Sequence, residues 1–113
     1  MSDEKKFVKT ITEENYEEFV ENNEQIVLDL WATWCVPCVY MDPIVESLAE
    51  EFDGRVKFGK INVEENKRIP SELEVQSLPS IIFIRDGDIV EKVTGKLDEE
   101  GFKEKMEKYF DLD

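Results

Sequence analysis

Phe7 to Ile11, with apolar Phe7, Val8 and Ile11 around polar Lys9 and Thr10, predicts a short edge strand. Thr12 opens an acidic stretch in which Tyr16, Phe19 and Val20 share a helical face, predicting a helix over residues 13–22. The run Ile26-Val27-Leu28-Asp29-Leu30-Trp31-Ala32 is apolar on both alternating faces except at Asp29, as suits a central strand covered on both sides. From Pro37 to Phe52, the residues Met41, Ile44, Val45, Leu48 and Phe52 recur at helical spacing, with Glu46, Glu50 and Glu51 between them. Pro43 lies inside that run and predicts a kink, or an end to the helix's first turns; Gly54 marks its end. Residues 56–63 read as a strand and residues 66–73 as a short helix. Two further strands, residues 80–85 and 88–94, flank Asp86-Gly87, the strongest hairpin signal in the chain. Asp98 then caps a last helix that carries Phe102, Met106, Tyr109 and Phe110 inward. The order β-α-β-α-β-α-β-β-α predicts an α/β fold, a mixed central sheet with helices on both faces.

Composition narrows the classes. The chain has 113 residues, 41% hydrophobic, enough for a packed core despite a 37% charged fraction. That length predicts one domain over residues 1–113, with its core at about 7–110. Acidic residues outnumber basic ones 28 to 14, a formal charge of -14, which disfavours DNA, RNA and anionic membrane surfaces as partners. No apolar run has transmembrane length, and Met1-Ser2-Asp3-Glu4-Lys5-Lys6 has no apolar signal-peptide core behind it, so a soluble cytoplasmic protein is expected. Histidine is absent, which removes Ser-His-Asp and Cys-His catalysis and every His-based metal site. The two cysteines, Cys35 and Cys38, are too few for a four-thiolate site within one chain, and no metal is expected.

The cysteine pair stands where the central strand gives way to a helix, in Trp34-Cys35-Val36-Pro37-Cys38. The first turn of a helix offers unpaired N–H groups and the positive end of the dipole, which favour a thiolate at Cys35. Spacing i to i+3 brings both side chains to one face, roughly 5–6 Å apart at Cβ, so a disulfide can form and break with small rotations. Pro37 falls where a missing N–H costs little. A zinc half-site completed by a second copy and an inert buried pair are the competing readings of a bare C-x-x-C. Asp29, inside the apolar strand six residues before Cys35, separates them from redox chemistry. A carboxylate buried without a partner is costly and tends to stay protonated. Asp29 is then either an acid tolerated at a strand edge or a proton donor and acceptor for Cys38.

The segment Leu28-Asp29-Leu30-Trp31-Ala32-Thr33-Trp34-Cys35-Val36-Pro37-Cys38, followed by Met41-Asp42-Pro43, resembles the active-site segment of the thioredoxin family. The likeness extends from about Phe7 to Phe110: Leu78-Pro79-Ser80 is similar to the family's cis-proline loop, Lys60 to its lysine near the buried Asp, Gly95 to a glycine of the substrate-facing loop, and Trp31 to the tryptophan under the site. The resemblance implies a thioredoxin-like fold, with Cys35 as attacking thiol, Cys38 as resolving thiol and Pro79 as the backbone against which an extended substrate docks. Trp34, Val36, Pro37, Leu78 and Pro79 would form an apolar docking rim. Three positions depart from the family pattern: Val36 where Gly is usual, Val39 where Lys or Arg is frequent, and Glu74 where Gly is common.

Thiol–disulfide exchange is therefore expected, as reduction of protein disulfides with no bound cofactor, with a separate thioredoxin reductase supplying electrons to a monomer. A thiol oxidant or disulfide isomerase of the same fold is the first alternative. A non-catalytic adaptor that binds partners through the apolar rim is the second.

Overall fold

A computed structural model describes residues 7–113; the charged start Met1–Lys6, read above as lacking a signal-peptide core, lies outside the described residues. Nine elements follow one another as β1 (Val8–Thr10), α1 (Tyr16–Glu21), β2 (Gln25–Trp31), α2 (Val36–Glu51), β3 (Lys57–Asn62), α3 (Arg68–Glu72), β4 (Ser80–Arg85), β5 (Asp88–Thr94) and α4 (Glu99–Tyr109). The strands form one mixed sheet in the order β1-β3-β2-β4-β5. β1, β3 and β2 run parallel, β4 is antiparallel to β2, and β5 is antiparallel to β4. The predicted element order and fold class hold.

Alternation along β2 and β4 divides the core into two layers. Val27, Ile81 and Phe83 face α2 and α4, where they pack with Met41, Val45, Leu48, Phe102 and Met106. Ile26, Leu28, Leu30, Ile82 and Ile84 face α1 and α3, against Phe19 and Ile69. A strand so covered has no solvent face, which is why residues 26–32 carry apolar side chains almost throughout. Asp29 shares the parity of Val27 and therefore points under α2.

Two local expectations are corrected. α2 runs from Val36 to Glu51 with Pro43 inside it, so the proline does not end the helix's first turns. The proline withholds an N–H from the carbonyl of Val39, and both residues lie on the exposed side of the helix, where water can take up that carbonyl. α1 begins only at Tyr16, because Thr12 and Asn15 tie the chain into a turn: Asn15 Oδ1 accepts from the Thr12 N–H at 2.8 Å. Glu13 caps the start of α3 instead, accepting from the Arg68 N–H at 2.7 Å. The chain is also tied down beyond residue 110, since the Gln25 amide bonds Asp111 both ways, at 2.9 and 2.6 Å.

Candidate active site

β2 ends at Trp31 and the chain turns through Ala32, Thr33 and Trp34 into α2. Both the backbone N–H and the hydroxyl of Thr33 donate to one carboxylate oxygen of Glu64, at 3.0 and 2.9 Å, which anchors the turn to the loop after β3. Cys35 is the N-cap of α2, with extended backbone (φ -92°, ψ 102°). It is joined to Cys38 in a disulfide, with 5.3 Å between the Cα atoms. The Cys38 N–H donates to Cys35 Sγ at 3.2 Å. In the dithiol form the same N–H, together with the positive helix end, favours the thiolate at Cys35 over that at Cys38. No charged side chain from residues 10–54 adds to this effect, since that segment holds twelve acidic residues and no basic one.

Beneath the pair lies Asp29, 2% exposed, with no hydrogen-bond partner for Oδ1 among the described residues. Its carboxyl is raised from 3.8 to about 7: burial pushes it up most, the Lys60 ammonium pulls it down, and the Asp42 and Glu46 carboxylates raise it again. Such a group exchanges a proton readily at neutral pH. A cavity of about 630 Å³ opens beside it, lined among others by Asp29, Trp31, Cys38, Asp42 and Lys60, so the carboxyl and the Cys38 sulfur border one space. Lys60 is the register neighbour of Asp29 on β3, yet its ammonium bonds Asp42 Oδ1 and lies 5.1 Å from the centre of the Trp31 ring.

The expected rim divides by exposure. Trp34 and Val36 stand 67% and 77% exposed, and Pro37 is exposed as well. Leu78 is half-buried against Ala32, Cys35 and Cys38, and Pro79 is buried. The Leu78-Pro79 peptide is cis, and the Pro79 carbonyl accepts from the Gly95 N–H at 2.9 Å. Gly95 has φ 102°, a backbone conformation that a side chain would disfavour. Glu74 adopts φ 58° without being glycine, and its carbonyl and that of Leu73 both accept from the Lys92 ammonium, at 2.9 and 3.1 Å.

Sequence reasoning assigns no role in the site to Asp42, Glu46, Tyr40 or Glu64, all of which the fold brings to it. Asp42 and Glu46 carry a signal, because they follow Cys38 by four and eight residues and so repeat on its helix face. Tyr40 extends the apolar patch beyond Val36 and Val39 and is 48% exposed, with the Lys96 ammonium 4.7 Å over its ring. Glu64 gives no signal, since only the folded loops bring it to Thr33.

Comparison with known proteins agrees with this geometry. The family model described as Thioredoxin matches residues 7–108. Thioredoxin from Staphylococcus haemolyticus (strain JCSC1435) is 36% identical over 99 residues, covering 88% of this chain and 94% of that protein. Thioredoxin from Chlorobaculum thiosulfatiphilum is 29% identical over 99 residues, covering 87% of this chain and 92% of its own. Among solved structures, a mutant thioredoxin from Halobacterium salinarum NRC-1 superposes with a TM-score of 0.85 at 33% identity, covering 94% of this chain and 93% of that one. The chain belongs to the thioredoxin family, and it is a thiol–disulfide oxidoreductase that reduces protein disulfides with the Cys35–Cys38 pair.

Proposed function

We propose that the two cysteines divide the work, with Cys35 as attacking thiolate, Cys38 as resolving thiol and Asp29 as the group that takes the Cys38 proton. The Cys35 thiolate attacks one sulfur of a substrate disulfide; that S–S bond breaks, and the departing thiolate takes up a proton. Cys38 then gives its proton to the Asp29 carboxylate and attacks Cys35 Sγ in the mixed disulfide. The second substrate thiolate leaves and is protonated, and Cys35–Cys38 is left oxidised. Two electrons pass to the substrate, and a reductase returns them. Trp34, Val36, Pro37 and Leu78 give the substrate an apolar platform, and an extended segment pairs with backbone beside Pro79 and Gly95. Trp31 and Lys60 support this site from below. The working compartment is the cytoplasm, where dithiols are kept reduced, and the working form is a monomer.

The observation that carries the division of labour is the N-cap position of Cys35, whose sulfur accepts the Cys38 N–H. Cys35→Ser should abolish reduction of a protein disulfide. Cys38→Ser should still attack and accumulate a mixed disulfide, visible as an added substrate mass that a dithiol removes. Alkylation at neutral pH that labels Cys38 before Cys35 would reverse the assignment.

A further inference from the structure

Asp29 and Lys60 are register partners on adjacent parallel strands, and Phe58, two residues before Lys60, packs in the same layer as Val27. Both side chains thus leave the sheet on the α2 side, close enough for an ion pair. That pair is not made: the Lys60 ammonium bonds Asp42 on α2 and lies over Trp31, while Asp29 Oδ1 has no hydrogen-bond partner among the described residues. Asp42 follows Cys38 by one helical turn and lines the same cavity, which puts the three groups and the resolving sulfur around one space. The groups that face Asp29 are Lys60 from β3 and Cys38, Asp42 and Glu46 from α2; from β4 its register neighbour is the apolar Ile81.

Resting on the role of Asp29 given above, we propose that Asp42 is a positioning residue for the resolving step, holding the Lys60 ammonium away from Asp29 so that the buried carboxyl remains a strong enough base for Cys38. A direct Lys60–Asp29 pair would stabilise the carboxylate and weaken it as a proton acceptor. By drawing the ammonium to the cavity wall, Asp42 leaves the field of Lys60 in place but denies Asp29 its hydrogen bond. The arrangement also explains why Asp42, 29% exposed at its side chain, turns toward the cavity rather than to solvent.

The test is a double-mutant cycle read on Asp29 itself. The oxidised protein is labelled with carbon-13 at its Asp carboxyls, and the Asp29 titration midpoint is followed by NMR in wild type, Asp42→Ala, Lys60→Met and the double variant. Removing Asp42 lowers the midpoint by two routes, loss of a neighbouring negative charge and release of Lys60; only the second needs the lysine. The expected result is a fall of about one unit for Asp42→Ala, raising the ionised fraction at pH 7 from about half to about nine-tenths, and less than half that fall in the Lys60→Met background. Asp42→Asn, which keeps the shape of the side chain, should shift the midpoint in the same direction. In rapid-mixing experiments the resolving step of Asp42→Ala should slow roughly two- to fivefold above pH 7, with its inflection moved to lower pH. Equal NMR shifts in the two backgrounds would overturn the positioning role and leave Asp29 as the base untouched. An Asp29→Asn protein that resolves at the wild-type rate at every pH would instead overturn the base itself, and this proposal with it.

Discussion

At Asp29 burial couples the protonation of a single carboxyl to stability. Its folded pKa is raised, so the folded state binds more protons than the unfolded chain between about pH 4 and 7. Stability contributed by this group is unaffected below pH 4, falls as pH rises through that window, and is lower by a constant amount above it. A shift from 3.8 to about 7 corresponds to about 4 kcal/mol at pH 8. Asp29→Asn should therefore gain stability over wild type as pH rises from 4 to 7, by up to that amount, and gain nothing at pH 4. The carboxamide has unpaired groups of its own, which reduces the absolute gain but not its pH dependence. Urea unfolding of both oxidised proteins at pH 4 and pH 8 checks this; parallel pH profiles would mean that Asp29 is solvated. The place of Asp29 is legible in the sequence because a lone acid stands out in an otherwise apolar strand. Asp42 is legible only as a position on the helix face of Cys38; its contact is not, because β3 supplies the lysine that it holds.

Among the elements, those whose reasons are local are the most legible. β2 follows from an almost unbroken apolar run, and the β4–β5 hairpin from Asp86-Gly87, both at positive φ (55° and 87°) as the tight turn requires. What escapes depends on long-range contact: α1 loses its first residues to a turn whose neighbour Glu13 serves α3, and the Asn66 side chain accepts from the Glu13 N–H at 3.0 Å across 53 residues. Pro43 escapes for a different reason, since its cost depends on whether the carbonyl behind it meets water, which periodicity does not reveal. The turn at Glu74 joins α3 to the Pro79 loop in a left-handed conformation that costs a non-glycine residue on the order of 1 kcal/mol. Glu74→Gly should therefore be about 1 kcal/mol more stable than Glu74→Ala, which keeps the Cβ, as measured by urea midpoint at constant slope. Equal midpoints would show that the Lys92 ammonium, bound to both carbonyls of the turn, already offsets the strain.

For the molecule as a whole, charge sets the terms of encounter. The net charge of -14 is unevenly spread: residues 10–54, which hold both cysteines, carry twelve acids and no base. Such a field draws in basic partners and repels acidic ones chiefly through the association rate. Reduction of a basic protein disulfide should slow severalfold between low and physiological salt, where charges beyond about 8 Å are screened. Reduction of a small neutral disulfide should barely respond; stopped-flow rates at several salt concentrations separate the two, and equal salt dependence would reduce the acidic surface to an aid to solubility. The sheet itself has blunt margins. β1 offers only three residues at one side. At the other, β5 carries Asp88, Glu91 and Lys92 and is offset by an irregularity opposite Phe83 and Ile84. A strand from another chain thus meets a margin too short on one side and charged and out of register on the other. Neither margin is then a ready template for polymers grown by strand addition, although Trp34, Val36, Val39 and Tyr40 stand exposed on every copy.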